Sequence, residues 1–378
     1  MGTDGTENPV VHAQDYPHLR DRRILCLTKY APLGASSRMR FHQYEKAFRA
    51  AGTALDFKPL LTDGYVQDLY AGRSRNYGQL LSGYAARVAA LMTAKHDLLW
   101  IEKELFPYLP GAFERLAMLG GSPYVVDFDD AIFHNYDLHR KRSVRRLLSN
   151  RLDPLLSGSA MVTAGNDYLA SYAARHGADR VETIPTVVEG ARYAGPPAVR
   201  NERIRIGWIG TASNADYLAP AIRALEAINE ELPVELVTVG IPALSGIGLP
   251  HEAHPWSEDT EVGLVQSFDI GIMPLTDTPW ERGKCGYKLI QCMAAGRPVI
   301  ASAVGANLGI VTPEVGRLVR TEDEWFAAFR ELAGSFELRA TMGAAGRERV
   351  ARYYSLEAVA PRLLAAFDDL LREGPPQT

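Results

Sequence analysis

The sequence contains little cysteine and no long hydrophobic segment. Cys26, Cys285 and Cys292 are its only cysteines, and their spacing fits no metal-binding motif. We therefore expect reduced thiols and a cytoplasmic protein. No run of eighteen apolar residues occurs, so the sequence predicts no membrane-spanning helix. The first twenty residues lack the apolar core of a secretory signal, and we expect a flexible leader there.

The chain also lacks a strong excess of charge of either sign. It has 41 Lys and Arg against 45 Asp and Glu, a formal net charge of −4, which gives no indication of a nucleic-acid partner. An apolar content of 47% and a charged content of 23% are typical of a globular protein. Because a chain of 378 residues is longer than a typical single domain, we expect two domains of similar size.

The most informative stretch lies between residues 268 and 307. It predicts a buried strand at residues 268–273, followed by a loop at residues 274–286. A helix at residues 287–295 and a second buried strand at residues 299–302 come next. The helix pattern turns Leu289, Ile290 and Met293 inward, and Gly296 follows as its cap. Strand, loop, helix and strand together form a βαβ unit.

The loop of this unit is basic and rich in glycine. It lies where the carboxyl end of a strand meets the start of a helix, which is where open α/β sheets bind anions. Arg282, Lys284 and Lys288 supply positive charge there. Lys284 and Lys288 are four positions apart, so they can reach two oxygens of one diphosphate. The alternative is a pair of solvated lysines.

This stretch resembles the donor-binding segment of glycosyltransferases with the GT-B fold, closest to glycosyltransferase family 4 (glycosyl transferases group 1). Residues 293–299, Met-Ala-Ala-Gly-Arg-Pro-Val, match the Ala-x-Gly-x-Pro-Val run of that family in register. The resemblance covers about residues 22–372 and is more specific in the second half. It implies an α/β fold with two Rossmann-like domains facing across a cleft. A last helix would return to the first domain.

The resemblance and the strand pattern together predict the domain boundaries. We expect a leader at residues 1–20 and an acceptor-side domain at residues 21–190. A nucleotide-sugar-binding domain should follow at residues 198–355, and a crossover helix at residues 356–373. Residues 195–197, Gly-Pro-Pro, have the composition of a linker.

The resemblance also implies donor-binding residues in four loops. Gly34 and Arg38 lie in the loop after the first strand, and Gly210 and Thr211 follow the strand at residues 204–209. Trp256 lies in a later loop that would read the nucleotide base. The full predicted set is Gly34, Arg38, Gly210, Thr211, Trp256, Arg282, Lys284, Lys288, Leu289 and Gln291. Tight turns with solvated side chains are the alternative for the first loop, and an ordinary surface loop is the alternative for Trp256.

Two positions depart from the family pattern. Family members commonly carry two glutamates with seven residues between them in this segment, and these fall on Gly283 and Gln291 here. Gln291 can still hydrogen-bond a ribose hydroxyl without a charge. Glu281 is two positions from the first and is a candidate substitute. The departures leave the donor sugar open.

An acidic cluster follows the predicted strand at residues 123–127. Asp127, Asp129 and Asp130 are followed by His134, and carboxylates and a histidine at a strand end can orient a hydroxyl or support developing charge. We predict that Asp129, Asp130 and His134 are catalytic. A metal site is one alternative, and helix capping by Asp130 is another. We expect no metal.

Residues 139–152 predict a strongly basic amphipathic helix. It carries the basic residues Arg140, Lys141, Arg142, Arg145, Arg146 and Arg151. A solvated face is the simpler interpretation. The alternative is docking to an anionic acceptor or to the inner face of an anionic membrane.

The leading hypothesis is a metal-independent hexosyltransferase-like glycosyltransferase of glycan biosynthesis. It would move a sugar from a UDP- or GDP-sugar to a hydroxyl of a sugar, lipid-linked or small-molecule acceptor. Retention of anomeric configuration is implied by the resemblance alone, and no cofactor is expected beyond the nucleotide sugar. A nucleotide-sugar epimerase of the same fold and a non-catalytic nucleotide-sugar-binding protein are the alternatives.

Overall fold

Two parallel β-sheets organise the chain. The computed structural model describes residues 11–70, 73, 77–118, 121–195 and 200–373. The first unit comprises Met1–Thr186 with Leu356–Thr378, and the second comprises Val187–Ser355. No helix in these described ranges is long and apolar enough to span a membrane.

The first unit contains a six-stranded sheet in the order β2-β1-β3-β4-β5-β6. Its strands are β1 (Arg23–Leu27), β2 (Ala54–Phe57), β3 (Leu98–Glu102), β4 (Tyr124–Phe128), β5 (Met161–Ala164) and β6 (Val181–Thr183). All neighbours pair in parallel, with Ile24 opposite Leu98 and Leu99 opposite Tyr124. Strands β3, β4 and β5 are buried along their whole length, as expected for strands with both faces covered.

Helices cover this first sheet. Those before residue 187 are α1 (Ala35–Arg40), α2 (Glu45–Ala50), α3 (Asp63–Tyr70), α4 (Tyr77–Thr93), α5 (Gly111–Ala117), α6 (His134–Asp137), α7 (Arg142–Leu148), α8 (Asp153–Ser157) and α9 (Asp167–Arg175). The sequence predicts one helix over residues 36–51, but the structure divides it. Phe41 leaves the helical conformation, and a 3-10 turn at His42–Tyr44 follows. Phe41 is fully buried with its ring centroid 4.3 Å from that of Trp100, so core packing overrides helix continuity.

The second unit contains another six-stranded parallel sheet, in the order β12-β11-β10-β7-β8-β9. Its strands are β7 (Ile204–Ile209), β8 (Val234–Val239), β9 (His251–His254), β10 (Ile270–Met273), β11 (Val299–Ser302) and β12 (Gly316–Val319). Its helices are α10 (Gly190–Tyr193), α11 (Ala219–Asn229), α12 (Glu258–Ser267), α13 (Pro279–Arg282), α14 (Tyr287–Ala294), α15 (Asn307–Ile310), α16 (Glu322–Gly334) and α17 (Phe336–Tyr353). The predicted βαβ unit is confirmed as β10, α14 and β11. Leu289, Ile290 and Met293 are buried as expected.

The last helix, α18 (Leu356–Glu373), belongs to the first unit. Its Phe367 packs edge-on against Phe48 and Trp100, with ring centroids 5.3 and 5.1 Å away. Pro361 lies within the helix without interrupting it. The change of unit after Thr186 falls four residues before the predicted domain end at 190. The linker prediction at residues 195–197 falls mostly outside the described residues.

The predicted leader is wrong for residues 11–20. Leu19 is fully buried, and the amides of His18 and Leu19 donate to Asp368 Oδ1 over 2.7 and 3.0 Å. Thr53 donates its hydroxyl to the Leu19 carbonyl at 2.7 Å. These contacts anchor the segment in the first unit, although its sequence has no regular hydrophobic period. Residues 1–10 lie outside the described residues.

The predicted basic helix at residues 139–152 is also shorter than expected. Only Arg142–Leu148 is helical, and the side chain of Arg151 is buried rather than solvated. Arg151 Nη2 donates to Glu114 Oε1 at 2.7 Å, and its Nη1 contacts Glu104 Oε2. A buried guanidinium needs such carboxylates, so the chain turns inward before Leu152.

Candidate functional site

Each sheet reverses its strand order at one point, and the loops that carry Gly34, Gly210 and Lys284 follow strands at these points. In the second sheet β8 lies on one side of β7 and β10 on the other, so the loops after β7 and β10 diverge. In the first sheet the same reversal places the loops after β1 and β3 at a switch point. Open α/β sheets bind ligands at such points, outside the carboxyl ends of the strands. Each unit thus contains one candidate site.

The second-unit loop after β10 is shaped by Gly286. This residue has φ +66° and starts α14, where it forms the N-cap. A side chain would be strained there, and an added Cβ would lie 2.2 Å from Ile310 Cδ1. Lys288 lies in the first turn of α14, and Lys284 lies two residues before Gly286. A helix start carries partial positive charge, so this turn is suited to an anion.

Lys288 is the predicted donor-binding residue in the first turn of α14. Its Nζ is 4.9 Å from the ring centroid of Trp208 on β7, within cation–π range. No carboxylate of the described part of the chain forms an ion pair with it. Burial, and after it the charge of Lys284, lower the pKa of Lys288 to about 7. A lysine in this environment is suited to an anionic ligand.

Arg282 points toward a carboxylate of its own loop. Its Nε donates to Asp277 Oδ1 at 2.7 Å and its Nη2 to Asp277 Oδ2 at 3.2 Å, and both side chains are about half exposed. This fork geometry already satisfies two guanidinium donors. The predicted donor role of Arg282 therefore needs a change of partner, unlike that of Lys288.

Glu281 does not replace the family's first glutamate. It is buried on α13, and its two carboxylate oxygens accept the hydroxyls of Tyr217 and Thr278. With both oxygens occupied, it fixes the loop to the 3-10 helix at Ala212–Leu218. Its role here is structural.

Gln291 and Leu289 lie on the inward face of α14. Each is only 1% exposed, and Gln291 Nε2 donates to the hydroxyl of Tyr193 at 2.7 Å. The prediction that the Gln291 amide meets a ribose hydroxyl does not fit this arrangement. The side chain holds α10 against α14 instead, because a buried amide must find a protein partner. Leu289 contributes to the core of the unit.

Three predicted second-unit residues remain, and Gly210 and Thr211 follow β7 at the switch point, whereas Trp256 follows the edge strand β9. Thr211 follows Gly210 at the end of β7, is exposed, and has its Oγ1 2.9 Å from Ser213 Oγ. Trp256 follows β9, and its indole Nε1 donates to Glu261 Oε1 at 3.0 Å. The backbones of these loops are joined, since Gly210 donates to Val239 O and Gly240 to His254 O.

In the first unit, Asp129 lies in a charged cluster at the switch point. Lys103 Nζ is 2.8 Å from Asp129 Oδ1 and donates to Ser36 Oγ at 2.8 Å, and Ser36 donates to Asp129 Oδ2. Burial favours a raised pKa for Asp129, but the charge of Lys103 and these hydrogen bonds outweigh it and lower the pKa. Asp129 is therefore held as a carboxylate next to the loop that follows β1.

Lys103 is a residue that the sequence analysis did not single out. It follows β3 directly and has φ +65°, a left-handed conformation that is uncommon for a residue with a side chain. Such conformations are concentrated at functional sites. Its position one residue beyond a strand at the switch point was the available signal.

Asp127 has a structural role. It accepts two hydrogen bonds from Arg40, at 2.9 and 2.7 Å, and one from Thr163 Oγ1 at 2.6 Å. Both members of the pair are almost fully buried. This network joins α1 to β4 and β5, and it leaves Asp127 unsuited to the alternative of a metal ligand. Within the described ranges, no group of three or more His, Cys, Asp or Glu side chains is placed to hold a metal ion.

The other predicted catalytic residues differ in their surroundings. His134 has both ring nitrogens engaged, with Nδ1 2.8 Å from Asp137 Oδ1 and Nε2 2.8 Å from the Tyr168 hydroxyl. This favours a structural role for His134, in contrast to our expectation. Asp130 accepts the amide of Ala131 at 3.2 Å and is partly buried.

The predicted donor residues Gly34 and Arg38 lie beside Ser36. Gly34 precedes α1 as its N-cap, and its amide donates to Ala31 O at 2.9 Å. Arg38 Nη1 donates to Pro32 O at 3.2 Å and is partly buried, so it braces the loop from within. The same loop is held by Glu102, whose Oε2 accepts the Lys29 amide and the Ser37 hydroxyl at 2.7 and 2.6 Å.

The similarity of the chain to a known sequence family lies in the second unit. Residues 203–335, which contain the second-unit switch point, match the family model described as Glycosyl transferases group 1. No curated protein sequence matches the chain. The family match thus covers the segment in which the sequence analysis placed most of the donor-binding residues.

Solved structures similar to the chain extend the comparison to both units. Sucrose-phosphate synthase from Thermosynechococcus elongatus has 16% identity and a TM-score of 0.71, covering 93% of this chain and 100% of that one. HepE from Anabaena, solved with UDP and glucose, has 15% identity and a TM-score of 0.66, covering 92% and 100%. A glycosyltransferase from Rickettsia africae has 14% identity and a TM-score of 0.66, covering 93% and 99%.

These comparisons show the fold of the chain and the family pattern of its second unit. They confirm the predicted fold class, an α/β chain with two Rossmann-like domains, and the predicted resemblance to glycosyltransferases of the GT-B fold and to Glycosyl transferases group 1. The closer resemblance to glycosyltransferase family 4 stays a prediction. The second unit carries the sequence pattern of Glycosyl transferases group 1, and the chain as a whole has the GT-B glycosyltransferase fold.

Proposed function

We propose that the protein transfers a sugar from a nucleotide-sugar donor to an acceptor hydroxyl. The observation that carries this proposal is the family match at residues 203–335, which includes the Lys284–Lys288 segment. The basic loop at the second switch point has the chemistry that the diphosphate of such a donor requires. HepE, which shares the fold, was solved with UDP and with UDP-glucose, and this favours a UDP-sugar here over a GDP-sugar.

The proposed chemistry follows from the leaving group. Departure of a nucleoside diphosphate develops negative charge, so transfer is accelerated by donors already placed around the phosphates. Lys284 and Lys288 supply charge, and the first turn of α14 supplies backbone amides. With this charge provided by the protein, we propose a metal-independent reaction. We also propose retention of anomeric configuration, on the family resemblance.

In the first unit we propose that Asp129 acts in the transfer step. Lys103 and Ser36 keep it ionised and fix both of its oxygens. An ionised, oriented carboxylate can align a hydroxyl or support a developing positive charge. Asp130 is a second candidate in the same turn. The acceptor is proposed as a sugar, lipid-linked or small-molecule hydroxyl.

The proposal is tested by supplying donors and identifying products. Thermal shifts with UDP- and GDP-sugars identify the donor, since ligand binding stabilises the folded state by mass action. Incubation of that donor with candidate acceptors should then give a glycoside and free nucleoside diphosphate, and Lys288→Ala should abolish most of the turnover. An epimerised nucleotide sugar formed without any acceptor would contradict transfer and indicate the epimerase. Binding without any product would indicate the non-catalytic alternative.

A peripheral membrane contact remains a separate proposal. Arg140, Lys141, Arg142 and Arg146 are exposed around α7, and Leu147 beside them is 70% exposed. Basic side chains beside an exposed leucine are suited to an anionic lipid surface. Sedimentation with phosphatidylglycerol vesicles, compared with phosphatidylcholine vesicles, tests this contact. Equal sedimentation with both, or none, would contradict it.

A further inference from the structure

One buried ring contacts two of the second-unit segments that were predicted to bind the donor, the loop after β7 and the start of α14. Trp208 on β7 is 2% exposed. At Gly210, two residues later, an added Cβ would lie 2.2 Å from Cη2 and 2.3 Å from Cζ2 of that indole. The same ring receives Lys288 Nζ at 4.9 Å from its centroid. Trp208 therefore supports the loop after β7 at its ring edge and the first turn of α14 at its face.

The lysines of this site stand out in the sequence. The chain contains eight lysines, and beyond Lys141 only Lys284 and Lys288 occur, although arginine is frequent throughout. A lysine ammonium is compact and can lose its proton, whereas a guanidinium remains charged. In the second unit, lysine occurs at these two positions alone. This indicates that the site tolerates an ammonium group that can titrate, and that it does not require the planar guanidinium of arginine.

The surroundings of Lys288 act on its charge in opposite directions. Burial and the nearby charge of Lys284 favour the neutral amine and lower its pKa to about 7. An ionised Cys292, one turn along α14, would raise the pKa of Lys288, but burial raises the pKa of the Cys292 thiol to about 12, so this thiol carries little charge near pH 7. The face of an indole attracts a cation, so Trp208 is the neighbour that favours the ammonium form.

We propose that Trp208 is a positioning residue that holds the loop at Gly210 and the Lys288 ammonium together for a phosphate-bearing ligand. The proposal rests on the nucleotide-sugar site proposed above. When the anion binds, the lone pair of a neutral Lys288 Nζ takes up one proton from the buffer. Trp208 makes that uptake easier, because its face stabilises the resulting cation. Donor binding is therefore coupled to protonation of Lys288.

Calorimetry with nucleotide sugars tests the coupling. UDP-glucose and GDP-mannose serve as probes, because their phosphodiester oxygens do not titrate near neutral pH. Titrations in buffers of different ionisation enthalpy measure the protons taken up per ligand bound. We expect uptake of roughly 0.5–0.8 proton at pH 7.5 and of about 0.1 proton at pH 6, from a free pKa near 7 and a raised pKa in the complex. Affinity should fall as the pH rises above 7.

Three variants separate position from charge. Lys288→Arg keeps the charge but cannot titrate, so its binding should show no proton uptake. Trp208→Leu removes the π face, and affinity should fall by about 3- to 10-fold, in the range expected for a cation–π contact. Its midpoint of the pH dependence should also move to lower pH, because the ammonium has lost its stabilising neighbour. Trp208→Phe fills more of the same space and should give intermediate values.

A purely structural role for Trp208 makes a different prediction. In that case Trp208→Leu would weaken ligand binding without moving the midpoint of its pH dependence. That result would overturn the proposal, and so would the absence of proton uptake when the natural protein binds the ligand. A second measurement needs no ligand. Reductive ¹³C-methylation labels the eight lysines for NMR, and the Lys288 resonance should titrate at lower pH in Trp208→Leu than in the natural protein.

Failure of the two proposals can be distinguished. If both nucleotide sugars bind but the midpoint is the same in Trp208→Leu, the positioning role is wrong and the donor site stands. If inorganic pyrophosphate, compared at one fixed pH, binds more weakly to Trp208→Leu than to the natural protein and neither nucleotide sugar binds, the anion site stands and the nucleotide-sugar function is wrong. If none of the three probes binds, both proposals are wrong.

Discussion

Lys103 Nζ lies 2.8 Å from Asp129 Oδ1, and Ser36 binds both side chains. This relationship ties the loop after β3 to the turn after β4 and to the start of α1. Asp129 is only slightly exposed. Without Lys103, burial of its unpaired negative charge would therefore be energetically unfavourable. The cluster therefore keeps one ionised carboxylate at the switch point of the first sheet.

Replacement of Asp129 by Asn should lower turnover while donor binding stays nearly unchanged. The amide preserves shape but removes the charge that we propose acts in transfer. We expect kcat to fall by about 10²-fold or more, within the range for a group acting on proton transfer, with the nucleotide-sugar Kd within about twofold. Asp153→Asn, which changes a more exposed carboxylate paired with His176, serves as the control. Unchanged kcat in Asp129→Asn would remove this residue from the mechanism.

The buried pair of Arg40 and Asp127 should affect stability. Asp127→Asn leaves the Arg40 guanidinium without its counter-charge in the interior, and we expect a loss of about 3–5 kcal/mol in the free energy of unfolding. Urea denaturation measures the effect. Arg22→Met, which breaks the more exposed pair with Asp97, should cost under about 1 kcal/mol. Similar losses in both variants would contradict the structural role assigned to Asp127.

The low pKa of Lys288 predicts how stability depends on pH. Its folded value, about 7, lies below the unfolded value of about 10.4, so the unfolded chain binds more protons between these limits. The charged lysine therefore destabilises the folded state most at and below pH 7. We expect Lys288→Met to raise Tm by about 2–6 °C at pH 6, and the difference should shrink toward pH 10. A difference in Tm that grows between pH 6 and pH 10 would contradict this assignment.

Metal removal should leave activity unchanged. We propose that lysines and backbone amides neutralise the diphosphate, so no divalent cation is needed for its departure. Turnover should be the same before and after treatment with EDTA. Strict dependence on added Mg²⁺ or Mn²⁺ would instead indicate a metal-bound diphosphate, as in metal-assisted transfer.

Much of the fold could be predicted from the sequence, because buried parallel strands are short, continuous apolar runs. Strands β7 and β11 begin and end at the predicted residues. Strands β2 and β9 were missed, since they lie at sheet edges and carry polar residues, as in Ala54–Phe57 and His251–His254. Edge strands need less hydrophobic burial, so their pattern is weak.

The candidate site was predictable in its loops but less so in its side chains. Glycine and lysine positions placed the turn at Gly286 and the charge at Lys288. The sequence could not indicate that Gln291 would donate to Tyr193, or that His134 would bind both Asp137 and Tyr168. Those partners are distant in sequence or satisfy a polar group only after folding. Trp208 was missed for a related reason, because a tryptophan in a strand usually indicates only a core.

The most direct test of a donor site at Lys288 uses the Lys288→Ala variant. Its affinity for a nucleoside diphosphate is compared with its affinity for the nucleoside alone. A charge-assisted contact contributes about 1.5–3 kcal/mol, so calorimetry at pH 6.5 should show UDP or GDP binding weakened about tenfold or more. Binding of uridine or guanosine should hardly change. Arg223→Ala, which removes an exposed charge on α11, serves as the control and should change neither. Equal loss of diphosphate and nucleoside, or no loss of either, would contradict a donor site at Lys288.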